Sequence, residues 1–337
     1  MSLADVSPAA SLLSVRHLDT TFHTARGALN AVRDVSFEVG EGEVLGIVGE
    51  SGSGKSVTLR SILRLLRPPT RITGEVRWNG ENLLEVSARR MRQVTGGEIS
   101  MIFQEPMTAL NPVLTVGEQI LESLRAHEGL RGQAANERAV ELLELVGIPS
   151  PRERLGAFPH EFSGGMRQRA MIAIALASSP RLLLADEPTT ALDVTIQDQI
   201  LKLLLRLREQ LGMSVILVTH DLGVVAQTCD RVAVMYAGRL VETAPVRALF
   251  THPRHAYTLG LRLSLPSGGA NRQPLKPIPG APPDLTALPP GCPFAPRCGF
   301  VTDACRADEP RRQRVAEDHT SACIHHAELP APSEVTA

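Results

Sequence analysis

"EVLGIVGESGSGKSVTLRSILRLL", residues 43–66, runs from an apolar stretch into a glycine-rich turn and then into a helical pattern that stops before Pro68-Pro69. Residues 49–56, "GESGSGKS", fit G-x-x-x-x-G-K-[ST] in the strand–loop–helix setting that gives this motif its meaning. Glycine lets backbone N–H groups curl around phosphate oxygens without a Cβ in the way. The helix start adds its partial positive charge. The backbone and side chains of Gly49, Ser51, Gly52, Ser53, Gly54, Lys55, Ser56 and Val57 are therefore the expected cradle of a nucleoside triphosphate. Lys55 reaches the β- and γ-phosphates, and the Ser56 hydroxyl ligates Mg²⁺.

A second stretch, "RLLLADEP", delivers an acidic pair to the end of an apolar run. Ligands of open α/β sheets gather at the carboxyl ends of strands. Asp186 is expected to hold Mg²⁺, and Glu187 to orient and polarise the attacking water. Alone, an Asp-Glu pair after a strand reads as a helix cap or a solvated turn; beside a phosphate loop it reads as catalytic.

Apolar strand-like runs at residues 43–49, 99–104, 181–186 and 214–220 alternate with helical stretches at 136–146, 164–177 and 195–211. This alternation predicts an α/β fold with a largely parallel central sheet. The chain has 337 residues, a net charge of −1 and 3% aromatic residues, so no nucleic-acid partner is expected. No apolar run is long enough to span a bilayer, and the start of the chain does not read as a signal peptide. A cytoplasmic setting is expected, in which disulfides are disfavoured.

Which nucleotide hydrolase this is turns on "FSGGMRQRAMIAIAL", residues 162–176. It resembles the signature motif of ABC-type ATPases, with Met166 where the family usually has Gln. Other elements resemble the family in order and spacing. Gln104 matches the Q-loop, "ALD" at residues 191–193 the D-loop with Asp193, His220 the switch histidine, and Phe22 the aromatic that stacks on adenine. The resemblance implies an ABC-type P-loop ATPase domain over residues 10–265, with a helical subdomain at about 105–165. It implies that Gln104 touches Mg²⁺ and the attacking water, and that His220 bonds the γ-phosphate. Ser163, Gly164 and Gly165 face ATP held by the phosphate loop of a second subunit. Each of these residues also has a plain structural reading, Ser163 as an N-cap above all.

"KPIPGAPPDLTALPPGCPFAPRC", residues 276–298, resembles the C-terminal region of ATPases serving oligopeptide, dipeptide and nickel importers. The resemblance implies two integral-membrane permeases, a second homologous ATPase and an extracytoplasmic binding protein. The chain would then sit on the cytoplasmic face of the inner membrane, with residues 105–120 as the docking surface. A nickel importer is the alternative substrate class. A non-transport, redox-sensing ATPase is the alternative of another kind. Residues 266–330 form the expected Cys-rich C-terminal region, entered through a Pro/Gly-dense connector. Cys292, Cys298, Cys305 and Cys323 suit an iron–sulfur cluster or tetrahedral Zn²⁺. The resemblance favours a [4Fe–4S] cluster; unmetallated thiols remain the third reading. Cys229 is expected to be a structural thiol.

Overall fold

The strands along the chain are β1 (Leu13–Thr24), β2 (Gly27–Val39), β3 (Val44–Val48), β4 (Thr70–Trp78), β5 (Glu81–Asn82), β6 (Ile99–Ile102), β7 (Leu182–Asp186), β8 (Ser214–Thr219), β9 (Arg231–Tyr236), β10 (Arg239–Pro245), β11 (Gln313–Ala316) and β12 (His319–Ser321). The computed structural model describes residues 11–25, 27–105, 109–190, 192–265 and 276–332. The expectations for residues 1–10, for 106–108 of the docking stretch, for Ala191 and for residues 266–275 of the connector lie outside them. The chain forms two units, one of residues 1–40, 44–84 and 219–337, the other of residues 41–43 and 85–218.

In the first unit an antiparallel sheet of order β2-β1-β4-β5 carries the N-terminal residues. Sequence reading did not anticipate it. Bulges break the register of β1 with β2, and positive φ at His17 and Asp34 disturbs the period-two pattern that marks a strand. Trp78 is fully buried there. The same unit holds strands in the order β11-β12-β10-β9-β3. Strand β3 runs parallel to β9, whereas β9, β10, β12 and β11 pair antiparallel. A two-residue turn joins β9 to β10, with Ala237 at φ 49° and Gly238 at φ 81°. Positive φ at both positions matches the right-handed twist of the two strands.

The second unit contains the parallel order β8-β7-β6. All residues of β7 and β8 are buried, which explains their unbroken apolar character. The helix Gly164–Leu176 is buried along most of its length. The helix Val194–Leu211 instead buries one stripe, Ile200, Leu203, Leu204 and Leu207, and ends at Gly212 in the left-handed conformation. Residues between β6 and Ser163 are mainly helical, with Val116–Ser123, Gly132–Leu145 and a π turn at Leu124–Glu128.

The expected helix at 55–66 is shorter in the structure. It spans Lys55–Ile62, and Arg64 takes a φ of 53°. The cysteine segment packs on the first unit's core, with Phe294 and Leu329 buried among Tyr236, Tyr257 and Val234. The aromatic rings of Tyr236, Tyr257 and Phe294 meet one another at centroid distances of 4.6 to 5.3 Å.

His255 precedes the helix Ala256–Leu263, and its Nδ1 accepts the Tyr257 N–H at 3.1 Å. That bond requires a neutral ring, and burial pushes the imidazole down to about 4. The unfolded value is about 6.5. Between the two values the unfolded chain binds more protons, so stability falls as pH drops from about 6.5 towards 4. The loss is about 3 kcal/mol from this group. Urea unfolding at pH 7 and pH 4.5 should show it, and His255→Asn, which keeps an acceptor but does not titrate, should flatten the difference.

Candidate functional site

The phosphate loop lies in the first unit, between β3 and the helix Lys55–Ile62. Its shape depends on missing side chains. A Cβ on Gly49 would stand 2.1 Å from the Met235 carbonyl oxygen, and one on Gly54 2.4 Å from the Ala31 carbonyl oxygen. Gly54 also has a φ of 104°, which L-residues rarely adopt. The loop is fastened to the β9–β10 turn, because the Gly238 N–H donates to the Ser53 carbonyl at 3.0 Å. Arg33 N–H in turn donates to the Gly238 carbonyl at 2.7 Å, tying β2 to the same turn.

The helix starting at Lys55 has no side-chain cap on its first N–H groups. Such groups suit an anion. Lys55 is buried and donates to the carbonyls of Gly49 at 2.8 Å and Glu50 at 3.0 Å. Ser56 occupies the second helical position. His220 follows β8 and is exposed; Phe22 is half-buried in β1, opposite Leu29 and Thr70.

The second unit carries the acidic pair. Asp186 ends β7 and is fully buried. Glu187 follows with a φ of 46°, a left-handed conformation that is costly for a residue with a long side chain. Its N–H donates to the Val218 carbonyl at 3.0 Å, and its Oε2 accepts the Thr190 hydroxyl at 2.7 Å. Gln104 Nε2 donates to the same oxygen at 3.4 Å. The structure thus joins Gln104 and Glu187 directly, with Thr190 as a third member that the sequence reading missed. Thr190 lies three residues after Glu187 in the turn that follows the strand, and that spacing was the available signal.

Ser163 caps the helix Gly164–Leu176 by accepting the Met166 N–H at 3.4 Å. Asp193 caps the helix Val194–Leu211 by accepting the Ile196 N–H at 3.0 Å. The two helix starts lie close together. A Cβ on Gly165 would meet the Ile196 side chain at 3.0 Å, and one on Gly164 would meet Leu192 at 3.6 Å. The signature glycines therefore serve packing within this unit as well as any anion outside it.

The cysteines form a separate group in the first unit. Cys292, Cys298, Cys305 and Cys323 line one cavity with His255 and His325. All five cysteines of the chain are free thiols. Burial pushes Cys292 up to about 11, and the neighbouring sulfurs push the same way. Burial also raises Cys298 and Cys323. Cys305 goes the other way: against burial, hydrogen bonds with Thr302 and His325 hold it below the usual thiol range. Three desolvated sulfurs whose ionisation is opposed by burial and by neighbouring cysteines, with Cys305 beside them, are a donor set that a bound cation would relieve. Their chemistry fits a four-thiolate group. The side chains are not drawn into a ligating arrangement, since among the described residues no three His, Cys, Asp or Glu form a group able to hold a metal ion. Cys229 lies apart. Burial pushes it up to about 12, and its sulfur packs against Gly46, in accord with a structural role.

A family model described as "ABC transporter" matches residues 32–190, and one described as "Oligopeptide/dipeptide transporter, C-terminal region" matches residues 241–305. The chain is 54% identical to "Probable peptide ABC transporter ATP-binding protein y4tR" of Sinorhizobium fredii, over 94% of this chain and 96% of that protein. The chain belongs to the ABC transporter ATP-binding proteins. "Oligopeptide transport ATP-binding protein OppD" of Bacillus subtilis is 52% identical, over 91% of this chain and 87% of that protein. Among solved structures, the dimeric ATP-binding cassette MJ0796 in a post-hydrolysis state with ADP and Pi superposes with a TM-score of 0.62 at 30% identity, over 70% of this chain and 99% of that one. The cassette cbiO1 of Clostridium perfringens gives 0.61 at 26% identity, over 75% and 96%. The α/β cassette fold and the ABC-type ATPase activity follow from this membership. Among the described residues no helix is long and apolar enough to cross a membrane.

The close approach at Gly54 sets a test. Gly54→Ala should lower stability by about 2 kcal/mol or more through strain and overpacking. It should also abolish the rise in melting temperature that Mg²⁺-ATP produces in the unmodified protein, measured by thermal unfolding with and without nucleotide.

Proposed function

We propose that this chain is the ATP-hydrolysing subunit that powers import of di- or oligopeptides through a membrane ABC transporter. The observation that carries the substrate class is the match of residues 241–305 to the peptide-transporter C-terminal region, together with relatives of about 50% identity named for peptide import. Those names favour peptides over nickel. They equally favour transport over a free-standing redox sensor.

In this reading the loop of residues 49–57 binds the triphosphate. Lys55 neutralises the β- and γ-phosphates; Ser56, Asp186 and Gln104 supply the Mg²⁺ shell. Glu187 orients the attacking water and receives its proton, with Gln104 and Thr190 holding the carboxylate in place. His220 bonds the γ-phosphate, and Phe22 lies against the adenine. Ser163, Gly164, Gly165 and Asp193 serve the nucleotide of a second ATPase subunit, since helix starts attract anions. ATP binding favours the closed pair and hydrolysis releases it. The remaining partners are a second homologous ATPase, two integral-membrane permeases and an extracytoplasmic binding protein. The chain sits peripherally on the cytoplasmic face of the membrane, and residues 105–120 supply the docking surface.

The proposal extends to the C-terminal region, where Cys292, Cys298, Cys305 and Cys323 would ligate a [4Fe–4S] cluster, with Zn²⁺ as the alternative. Their convergence on one cavity supports it. Such a group supplies a four-point cross-link to a segment with little regular structure.

Two measurements test these roles. Glu187→Gln should leave ATP binding intact and reduce turnover by about 10²-fold or more; unchanged turnover rules out the catalytic role. Anaerobic purification with iron and sulfide analysis should find about four of each per chain. One zinc per chain would assign the site to Zn²⁺, and neither metal would remove the cross-link from the proposal.

A further inference from the structure

Glu50 is the one charged residue of the phosphate loop besides Lys55, and nucleotide binding gives it no task. The structure nevertheless holds it from three sides. Its N–H donates to the Tyr257 hydroxyl oxygen at 2.9 Å, and its carbonyl accepts Lys55 Nζ at 3.0 Å. Its carboxylate accepts a fork from Arg297, with Nη1 to Oε2 at 2.6 Å and Nη2 to Oε1 at 2.8 Å.

Arg297 is held in place for this contact by several other groups. Its side chain is 5% exposed. Nε donates to the Pro279 carbonyl at 2.9 Å, and Nη1 also reaches the Tyr236 hydroxyl at 3.3 Å. The guanidinium lies 5.9 Å from the ring centres of Tyr236 and Phe294. It projects from the short turn Ala295–Arg297, which directly precedes Cys298. The guanidinium is therefore fixed before the fork is made, and little conformational freedom is lost in making it.

We infer that Arg297 is a positioning residue of the ATP site, through which the C-terminal segment sets the shape of the phosphate loop. The inference rests on the assignment of residues 49–57 as the nucleotide-binding loop. A carboxylate in that loop repels a triphosphate, and a half-buried carboxylate without a partner seeks water. Arg297 cancels the charge by a two-point fork. By fixing the Glu50 peptide it also fixes the carbonyl on which Lys55 rests. The line of contact runs from the cysteine segment through Arg297 and Glu50 to the phosphate-binding lysine.

The test is an equilibrium titration of the full-length chain with the fluorescent analogue mant-ATP and Mg²⁺, alongside its nucleotide-free melting temperature. Arg297→Met should raise Kd about ten-fold or more, since small misplacements at a remote contact carry large penalties. Adding Glu50→Gln to it should recover part of that loss, because the lone carboxylate is gone. Arg297→Lys, which keeps charge without the fork, should fall between. If Arg297→Met and Arg297→Lys lower the melting temperature but leave Kd within about two-fold, Arg297 merely fastens the tail and the inference is overturned. Should Arg297→Met not fold, Arg297→Lys and Glu50→Gln decide alone, and an unchanged Kd in both overturns it. Lys55→Ala is the control on the underlying assignment. If it binds mant-ATP as the unmodified chain does, the loop assignment fails, a result distinguishable from failure at Arg297.

Discussion

The first unit depends on backbone passing backbone without side chains between. At Gly49 and Gly54 the phosphate loop comes so near the carbonyls of Met235 and Ala31 that no Cβ fits. These approaches bind three pieces of chain far apart in sequence: β2, the end of β9 and the loop itself. The Lys55 ammonium then completes the loop from within, resting on the Gly49 and Glu50 carbonyls. The helix that follows has no side-chain cap on its first N–H groups. Geometry that would be poor for a plain turn is thus what an anion requires.

What could be read from the sequence follows from how far apart the interacting residues lie. Strands β3, β6, β7 and β8 were legible because burial on both faces leaves an unbroken apolar run. The helix at Gly164–Leu176 was legible from its Ser-Gly-Gly start. The antiparallel sheet was not, since β1 is bulged and its outer end at residues 23–24 is exposed, which erases the alternation. Strands β11 and β12 are only four and three residues long and largely polar, too short to carry a pattern. In the site, the residues named by local motifs could be picked out one by one. The Glu50–Arg297 fork could not, because 247 residues separate its members and no motif links the two stretches in which they lie.

Several residues in the second unit carry a structural duty that coincides with a proposed chemical one. Ser163 and Asp193 each satisfy a helix N–H, and Gly165 lets the Ile196 side chain approach. Glu187 holds a left-handed backbone conformation while Thr190 and Gln104 share one of its carboxylate oxygens. Strain at such a position persists only where surrounding bonds over-determine it. Here the Val218 carbonyl, the end of a fully buried strand, supplies that restraint. The plain reading of each residue and its functional reading are therefore compatible.

The pairing of β10 with β12 bears on how the chain matures during synthesis. Strand β10 is buried along five consecutive residues, and it carries the buried Glu242, whose carboxylate accepts the Arg254 N–H and meets His319 at 2.6 Å. The strand that pairs with its other edge, through Glu242↔Ser321 and Thr243↔Thr320, comes much later in the sequence, with 77 residues between Glu242 and His319. Until that later segment has been made, β10 lacks this pairing and the Glu242 carboxylate lacks its histidine. Over the interval of synthesis between these two strands, the nascent chain carries β10 with one edge unpaired.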